Sequence, residues 1–503
     1  MTDQFAPIEV KVNRSSLTIV GCPEELARLL QYTRLEISHK NGNFQSNPIP
    51  TSYVNYDPKT KLCRTYPNAL HLVEKHAKSI HQTLTIQDSR TKPVLNLDNI
   101  DRSNYRSVCY EALQAVATAR QSGIIVAPTG IGKTSILCGL VEMLPKDFKV
   151  LVTTEDRNVA LQLHKALQVA LPNEKIGLHC RPTSIIGRII VTHLGALQDF
   201  TQGDMVYSGH DLKSFDCWIC DEVHRLPVQS RQPYLSQFKT IYAWGLTATP
   251  SRTDNSHILN YVVFGPQLFS VNQQQVLDIQ EKTGEKGIVP IQTLVYPLTT
   301  ENPIDPSLSL SAKIRKVYMQ NPALKALLIK ALSQLHDLVD AKIMIFVDTR
   351  RLGFLISRWI PGFTFVHGLH SLEYRQSILD KFRSGKLTKI ICTDIWSEGI
   401  DVPDLGYVID CSAKVSPNRI IQRAGRAARS ADNKELGTYI MLLSTTSEAL
   451  FNQGIHKLRS IDELGWDIQF MFARDKVKSL EFEQAPVLTE LGTFLENPPS
   501  SLN

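Results

Sequence analysis

Residues 123–135 read GIIVAPTGIGKTS, which is the pattern of an apolar strand, a loop and the start of a helix. The part APTGIGKT fits the phosphate-binding loop, except that alanine occupies the first glycine position. Gly130 and Gly132 allow backbone N–H groups to turn toward phosphates. Lys133 reaches the β and γ phosphates, and Thr134 offers a hydroxyl to Mg²⁺. The predicted ATP-binding residues are Pro128, Thr129, Gly130, Ile131, Gly132, Lys133, Thr134 and Ser135.

From about residue 100 onward, short apolar runs alternate with helical patterns. Such runs are typical of parallel strands buried on both faces and joined by right-handed helical crossovers. The first set is GIIVAP, FKVLVTT, RIIVTH, DCWICDE and IYAWGLTAT, and the second set is KIMIFVD, FTFVHG, KIICTD, LGYVIDCS and GTYIMLLS. The two sets predict an α/β fold with two parallel-sheet domains in tandem.

The first 95 residues differ from the rest and predict a small α+β accessory domain for substrate recognition. IEVKVNRSSLTIVG alternates like a hairpin, and CPEELARLLQYTRLE reads as a helix that begins near Pro23. HKNGNFQSNPIPTSYVNYDP is rich in loop-forming residues. TYPNALHLVEKHAKSIHQTLTIQD predicts a helix followed by a strand.

The remaining boundaries follow from changes in composition. We expect the first parallel-sheet domain at 96–298 and the second at 299–475, because the Pro- and Ser-containing segment YPLTTENPIDPSLSL separates the two sets of strands. A helical stretch, SIDELGWDIQFMFARDKVKSL, is expected near the end of the second domain. A C-terminal tail at 476–503 completes the chain.

The composition limits the class of protein. The 503-residue chain has 43% hydrophobic residues, 21% charged residues and a net charge of +6. These values are typical of globular proteins, and no apolar run reaches membrane-spanning length. Since the N-terminus lacks the basic-then-apolar layout of a secretory signal, we expect a cytoplasmic location. The mild positive charge permits a polyanionic partner without requiring one.

Nine cysteines are scattered along the chain, and Cys217 and Cys220 form the only close pair. A metal or redox site would need a second pair or a histidine cluster nearby, and neither is evident. The pair stands in an apolar run, so we expect two small residues of the core.

The segment CWICDEVH ends an apolar strand with Asp221 and Glu222. Parallel sheets bind ligands at the carboxyl ends of their strands, so both acids are candidates for the phosphate site. Asp221 is the natural partner of Mg²⁺, and Glu222 can orient and deprotonate a water molecule. Thr247 and Thr249 in GLTATP follow another strand and, with His224, are expected to sense the nucleotide state.

The segment QRAGRAAR places Arg423, Arg426 and Arg429 at every third position. On a helix this spacing would keep the guanidinium groups on one face. A solvated basic face is the usual meaning of such a pattern. In a chain that also has a phosphate-binding loop, we expect the arginines to face ATP and stabilise charge on the γ phosphate.

These segments together, in this order, resemble a superfamily 2 helicase with a DExH-type box, DEVH. APTGIGKT resembles motif I, LVTTEDRNVALQL motif Ia and IIVTHLGAL motif Ib. DEVH resembles motif II, GLTATP motif III and IMIFVDTRRLGFLI motif IV, while ICTDIWSEGIDVP resembles motif V and QRAGRAAR motif VI. The resemblance covers roughly residues 100–450 and implies two RecA-like domains that bind ATP in their cleft and a nucleic-acid strand across their tops.

The resemblance also implies roles for single residues. Lys133, Thr134, Asp221 and Glu222 would act on ATP and Mg²⁺. Gln422, Arg426 and Arg429 would contact the γ phosphate, and Gly399 and Asp401 would lie near the nucleotide. The residues expected to contact the phosphates of a nucleic-acid strand are Thr153, Thr192, His193, Thr349 and Thr393.

Within the superfamily, the layout is similar to the UvsW and XPB-like group, because a small α+β domain precedes the motor. This similarity favours a monomeric DNA helicase or branch-migrating translocase that acts on single-stranded or branched DNA, phage-borne like UvsW, with 3′-to-5′ movement. The alternatives are an RNA helicase, the motor subunit of a restriction system, and an ATP-gated clamp on nucleic acid. The chain departs from the family at Arg106, where glutamine is frequent, so ATP as the nucleotide is inferred from the family.

Overall fold

The chain divides into two compact units, and the division falls between Val271 and Asn272. Among the residues described, no helix is both long enough and apolar enough to cross a bilayer. The computed structural model describes residues 7–40, 43–201, 211–227, 231–249, 255–335, 341–396, 402, 404–413, 417–429, 431, 434–462 and 464–471.

The first unit begins with a five-stranded mixed sheet and a separate two-stranded sheet. The elements are β1 Ile8–Val12, β2 Leu17–Val20, α1 Glu24–Leu29, β3 Gln31–Lys40, β4 Asn43–Ser52, β5 Asn55–Asp57, β6 Leu62–Thr65, α2 Leu70–Ser79 and β7 Leu84–Asp88. The strand order is β5-β6-β2-β1-β7, and β3 pairs with β4. The expected hairpin is present as β1 and β2, and the expected final helix and strand are α2 and β7.

Two expectations for this region were wrong. The helix predicted in CPEELARLLQYTRLE ends at Leu29, and the segment expected to be loop-rich contains β4. Leu35 and Ile37 alternate with polar residues in β3, which is the period of a strand and not of a helix. Two prolines stand in β4, and a two-stranded ribbon tolerates them because its outer edge needs no N–H donors.

The main sheet of the first unit has eight strands in the order β11-β10-β12-β9-β13-β14-β8-β15. All its pairings are parallel except that of β10 with β11. Five of these strands are the predicted runs, while β10, β11 and β15 were not predicted. The elements are α3 Ser107–Ala119, β8 Gly123–Val126, α4 Lys133–Glu142, β9 Val150–Thr154, α5 Arg157–Ala170, β10 Ile176–Cys180, β11 Thr183–Ile185, β12 Ile189–His193, β13 Cys217–Asp221, α6 Gln232–Leu235, β14 Tyr242–Thr247, α7 Ile258–Phe264 and β15 Gln267–Ser270.

The central strands of this sheet are buried along almost their whole length, as the continuous apolar runs predict. Trp218 on β13 stacks on Phe238 with ring centroids 4.0 Å apart, and its indole N–H donates to Thr153 Oγ1 at 2.9 Å. Cys217 and Cys220 are both fully buried in β13, so they contribute to the core as expected.

The small N-terminal sheet and the main sheet share one apolar core. A single cluster of buried side chains joins residues of β1, β2 and α2 with residues of β8, β13 and α7. Asn68, just before α2, donates a hydrogen bond of 2.8 Å to the carbonyl oxygen of Val263 on α7. The expected small N-terminal α+β domain is therefore present, and it packs on the rest of the first unit through this shared core.

The second unit contains a seven-stranded sheet in the order β18-β19-β17-β20-β21-β16-β22, and all its pairings are parallel. The five predicted runs are β17 to β21 of this sheet. The elements are α8 Gln273–Thr283, β16 Ile291–Leu298, α9 Leu310–Ile314, α10 Pro322–Ser333, β17 Lys342–Val347, α11 Arg350–Trp359, β18 Thr364–Val366, α12 Leu372–Arg383, β19 Lys389–Cys392, β20 Leu405–Cys411, α13 Pro417–Ala424, β21 Gly437–Ser444, α14 Glu448–Asp462 and β22 Asp467–Phe470.

The structure corrects two expectations about the limits of this unit. The division at Val271 comes earlier than the expected boundary after residue 298, because β16 pairs with β21 and β22. The stretch expected to be helical from residue 460 instead ends α14 at Asp462 and continues into β22. Gly465 lies between them at a φ of +71°, in the left-handed region that ends helices. The tail at 476–503 lies outside the described residues.

Arg423 on α13 is fully buried in the second unit and does not face solvent. Its guanidinium donates to Asp410 Oδ1 at 2.8 Å and to Ser412 Oγ at 2.6 Å, and it also contacts the Asp394 carboxylate. Burial raises the pKa of Asp410, but Lys457 and Arg423 outweigh this effect and lower that pKa to about 2. Arg423 therefore fixes β20 to α13, and the expectation that it faces ATP was wrong.

We expect Arg423→Met to destabilise the second unit by about 3–5 kcal/mol, because the buried Asp410 carboxylate loses its guanidinium partner and Lys457 is the one cation that still contacts it among the described residues. Hydrogen exchange of the backbone amides in β20 and β21, measured with increasing urea, reports this free energy locally. The matched control is Arg358→Met on the exposed face of α11, which should change stability by less than about 0.5 kcal/mol. Equal exchange in both variants would contradict the role given to Arg423.

Candidate nucleotide site

The loop between β8 and α4 has the backbone of a phosphate-binding loop. Gly130 and Gly132 have φ angles of +93° and +106°, which side chains other than hydrogen rarely allow. A Cβ atom at Gly132 would also lie 3.3 Å from Cys109 Sγ. Because α4 begins at Lys133, its first N–H groups lack partners within the helix and are directed at the loop. Such an arrangement binds anions.

The side chains of the loop differ in exposure. Ile131 is buried, so it contributes only its backbone, while Pro128, Thr129 and Ser135 are partly exposed and Thr134 is exposed. The Thr129 hydroxyl is buried and has no hydrogen-bond partner among the described residues. An unsatisfied buried hydroxyl beside N–H groups and an ammonium group fits a polyphosphate ligand.

Arg106, which in the sequence was noted only as a departure from the family, contacts the same loop. Its Nη1 donates to the carbonyl oxygens of Gly130 and Ile131 at 3.3 and 3.4 Å. Arg106 at the start of α3 is therefore bonded to the phosphate-binding loop, and the spacing of the motif gave no sign of this contact.

Three neighbouring strands bring the predicted catalytic residues together. Because the order is β13-β14-β8, Asp221 and Thr247 at the carboxyl ends of β13 and β14 lie beside the loop that follows β8. Lys133 Nζ is 2.8 Å from Glu222 Oε1. Glu222 has a φ of +50°, an uncommon conformation for a residue with a side chain and one that recurs at functional sites.

A chain of polar contacts extends from Glu222 to the segment after β14. His224 Nδ1 lies 3.3 Å from Glu222 Oε2 and 3.0 Å from Thr247 Oγ1. Thr247 Oγ1 in turn lies 3.0 Å from both the N–H and the carbonyl oxygen of Thr249. The residues predicted to couple nucleotide state to movement, His224, Thr247 and Thr249, are therefore connected to the general base candidate.

The two carboxylates of this site differ in pKa. Burial and the charge of Glu222 raise the pKa of Asp221 to about 6. Burial also opposes ionisation of Glu222, but Lys133 and His224 outweigh it and hold the pKa of Glu222 well below its usual range. Glu222 is thus a carboxylate at neutral pH. Asp221 would be stabilised in its charged form by a cation bound beside it, as a Mg²⁺ ligand requires.

The second unit contains the predicted γ-phosphate residues. Gln422 lies on α13, and its Oε1 is buried without a hydrogen-bond partner among the described residues. The helix ends at Ala424, so Arg426 follows it in a turn and Arg429 in an isolated bridge with Ile288, and the shared helical face expected for the arginines was wrong. Arg426 is 6% exposed. Gly399 and Asp401 lie outside the described residues.

The residues predicted to contact a nucleic-acid strand do not form one class. Thr153 and Thr192 are fully buried, and the Thr192 hydroxyl donates to the carbonyl oxygen of His179 at 2.7 Å. The burial of these two hydroxyls does not fit a direct contact with phosphate. Both residues lie within buried strands, whereas the prediction had assumed that they lie at the exposed carboxyl ends. His193, Thr349 and Thr393 are partly exposed at the carboxyl ends of their strands.

Two protein-family models match the chain. Residues 100–252 match the model described as type III restriction enzyme, res subunit. Residues 325–431 match the model described as helicase conserved C-terminal domain. The first match contains the phosphate-binding loop with Asp221 and Glu222, and the second contains Gln422, Arg426 and Arg429.

Curated relatives match over most of the chain. The DNA 3'-5' translocase XPB2 of Sulfurisphaera tokodaii is 26% identical over 411 residues, which are 74% of this chain and 88% of that protein. The putative DNA 3'-5' helicase Rad25 of Haloarcula marismortui is 25% identical over 358 residues, which are 68% of this chain and 53% of that protein. The match thus covers most of XPB2 but about half of Rad25.

A solved structure shares the fold. S. cerevisiae Dbp5 bound to RNA and ADP BeF3 superposes with a TM-score of 0.51, at 15% identity, over 77% of this chain and 93% of that chain. At this identity the similarity concerns the fold alone, and it supports two RecA-like domains. The motif order, the two family matches and the XPB2 and Rad25 relatives together indicate a superfamily 2 helicase of the XPB-like group.

Proposed function

We propose that this protein is an ATP-driven DNA helicase or translocase that unwinds or branch-migrates DNA. The observation that carries the proposal is the continuous contact from Lys133 through Glu222 and His224 to Thr247 at the carboxyl ends of neighbouring parallel strands. This series of contacts places Glu222, the proposed general base, between the phosphate-binding loop and the segment after β14. That segment could therefore respond to whether nucleotide is bound. The names of XPB2 and Rad25 support DNA as the polymer.

ATP has to break the Lys133–Glu222 ion pair when it binds. Without nucleotide, the ammonium group of Lys133 is held by Glu222 at 2.8 Å. When ATP binds, the β and γ phosphates compete for Lys133, and Glu222 is released to accept a proton. A water oxygen then bonds to the γ phosphorus, the bond from that phosphorus to the bridging oxygen breaks, and Glu222 takes the proton of the water. The products are ADP and phosphate.

Thr134 and Asp221 would hold Mg²⁺, which supplies neutralisation of phosphate charge when it is bound. The exposed Thr134 hydroxyl and the Asp221 carboxylate are hard oxygen donors, which Mg²⁺ prefers. The raised pKa of Asp221 means that its negative charge is unfavourable where it lies. A cation bound beside it would stabilise that charge.

Gln422, Arg426 and Arg429 are proposed to act on the γ phosphate from the second unit. The nearly complete burial of Arg426 supports this, because a buried guanidinium directed at an anion gains more than a solvated one. The unsatisfied Gln422 Oε1 is an acceptor, so it fits a hydrogen-bond donor beside the γ phosphate, such as the attacking water, and not the phosphate oxygens themselves. Roles near the nucleotide for Gly399 and Asp401 remain proposals from their motif.

The substrate is proposed to be single-stranded or branched DNA, and the protein a monomer that moves 3′ to 5′ inside the cell. The XPB2 relative supports this direction through its name. A second candidate is the motor subunit of a restriction system, which the match of residues 100–252 to the res-subunit model favours. That candidate would need a nuclease to act with the chain, so cleavage of DNA in the presence of ATP and a partner would distinguish it.

The first test is ATP hydrolysis by the wild type and Glu222→Gln, titrated with single-stranded DNA, forked DNA and single-stranded RNA. We expect forked DNA to stimulate the wild type most. Since an amide cannot accept the proton, the variant should be slower by at least about 100-fold. Greatest stimulation by RNA would refute the choice of DNA. An absence of stimulation by any of the three would favour the clamp over the motor.

We expect Arg426→Ala to keep ATP binding but to slow hydrolysis by about 1,000-fold, because the guanidinium acts on charge that develops during the reaction. Lys133→Ala should lose both, since its ammonium group meets the phosphates of the bound substrate. Binding is measured with a fluorescent ATP analogue, and hydrolysis in single turnover. Arg426→Lys, which keeps the charge, controls for folding. Loss of binding in Arg426→Ala would assign this residue a different role.

We expect the Mg²⁺ dependence of ATP binding to vary with pH below about 6. The pKa of Asp221 is raised to about 6, so a proton must leave before the carboxylate binds the cation. Apparent Mg²⁺ affinity should therefore fall by about tenfold per pH unit below that pKa and level off above it. Asp221→Asn is the control, because ATP itself titrates equally in both proteins. Parallel pH profiles would contradict a role for Asp221.

A further inference from the structure

Five aromatic side chains of the second unit form a continuous ring cluster, made of Phe354, Phe365, His367, His370 and Tyr374. Phe354 meets Phe365 and His367 edge to face at centroid distances of 5.0 and 5.7 Å. His367 stacks on His370 at 3.9 Å with an interplanar angle of 18°. His370 in turn lies 4.7 Å from Tyr374. The cluster joins α11, β18 and α12 on one surface.

The two ends of the ring cluster are exposed. Phe354 is 53% exposed and Tyr374 is 43% exposed, while His367 between them is buried. Leu369 on the segment between β18 and α12 is 73% exposed, and Leu372 at the start of α12 is 43% exposed. Apolar side chains gathered at this density on a surface are typical of a binding site. None of them is needed by the nucleotide chemistry described above.

Each of the two histidines of the ring cluster accepts a backbone hydrogen bond through its Nδ1 atom. His370 Nδ1 accepts a hydrogen bond from the N–H of His367 at 3.2 Å, and His367 Nδ1 accepts one from the N–H of Leu369 at 3.3 Å. A protonated Nδ1 could not accept either bond. Burial, His370 and Arg350 also lower the pKa of His367. An uncharged His367 ring, together with the phenyl and phenol rings, suits stacking on another ring better than an ion pair.

The ring cluster lies at the edge of the sheet where three strands end. The neighbouring strands β18, β19 and β17 are followed by His367, Thr393 and Thr349, and the N–H of Thr393 donates to the carbonyl oxygen of Val366 at 3.3 Å. Arg350 and Arg351 are exposed at the start of α11 beside this edge. Hydroxyl groups and cations thus accompany the rings, as in surfaces that bind single strands through stacked bases and paired phosphates.

We propose that the ring cluster stacks unpaired bases of the nucleic-acid strand, while Arg350, Arg351, Thr349 and Thr393 contact its phosphates. The inference rests on the proposed motor function and names how this unit grips the strand. Glu373 is exposed next to Tyr374, so the phosphates pass on the Arg350 side. The grip is independent of sequence, because every base has a ring face.

A protein partner is the other class of occupant for an exposed aromatic surface. The observations favour nucleic acid because the cluster adjoins two exposed arginines and the carboxyl ends of the strands, where α/β sheets bind their ligands. A surface that served only a protein would not need neutral rings, hydroxyl groups and arginines along one line.

The test compares binding of two fluorescent oligonucleotides of equal length, an oligothymidylate and one whose residues are all abasic. Both carry the same phosphates, and only the first can stack. We expect Tyr374→Ala and Phe354→Ala to weaken binding of the oligothymidylate by about tenfold each and to leave binding of the abasic strand unchanged. Tyr374→Phe, which keeps the ring, should bind as the wild type does.

Arg351→Ala is the matched control, and it should weaken binding of both strands by the same factor and reduce the salt dependence. Unfolding midpoints equal to that of the wild type show that the variants are folded. An unchanged preference for the base-containing strand in Tyr374→Ala and Phe354→Ala would overturn the proposal and leave the surface to a protein partner. If the wild type binds neither strand and DNA does not stimulate its ATPase activity, the motor function itself fails.

Discussion

Parallel pairing of neighbouring strands is the constraint on which both candidate sites depend. It forces the carboxyl ends of β13, β14 and β8 to one edge of the first sheet and those of β18, β19 and β17 to one edge of the second. Residues that are far apart in sequence are thereby brought together without any specific attraction between them. At the first edge these are a lysine, two carboxylates and a histidine, which suit phosphate chemistry. At the second they are rings, hydroxyl groups and arginines, which suit a strand.

Two ion pairs, one fully buried and one partly exposed, have different roles in this protein. Asp410 accepts a hydrogen bond from Arg423 and further hydrogen bonds from Tyr439 and Lys457. These bonds together hold the buried carboxylate and guanidinium groups in place. Lys133 and Glu222 have fewer competing contacts and are partly exposed, with 13% and 19% of their side chains accessible. A phosphate can therefore replace Glu222 at Lys133. The first pair stabilises the fold, and the second is the one that we propose ATP exchanges during turnover.

The sequence predicted what depends on local pattern. Continuous apolar runs predicted ten parallel strands, and the loop before α4 was recognised from its glycines, Lys133 and Thr134. β16 was assigned to the wrong unit because its partner β21 lies far along the chain, and pairing between distant strands leaves no local mark. Arg423 and Arg426 belong to the same three-residue repeat, so the sequence could not show that the Arg423 guanidinium is bonded to Asp410 inside the core. The ring cluster escaped notice because its members belong to α11, β18 and α12 and meet only after folding.

The apolar core that joins the N-terminal sheet to α7 has a consequence for how this protein can change. The segment Pro67–Ala69 before α2 packs on α7, and Asn68 is bonded to the backbone of Val263. A gene fusion or exchange that replaced the first 95 residues alone would leave the apolar side of α7 in water. Inheritance of the small sheet is thus tied to that of the ATP-binding half.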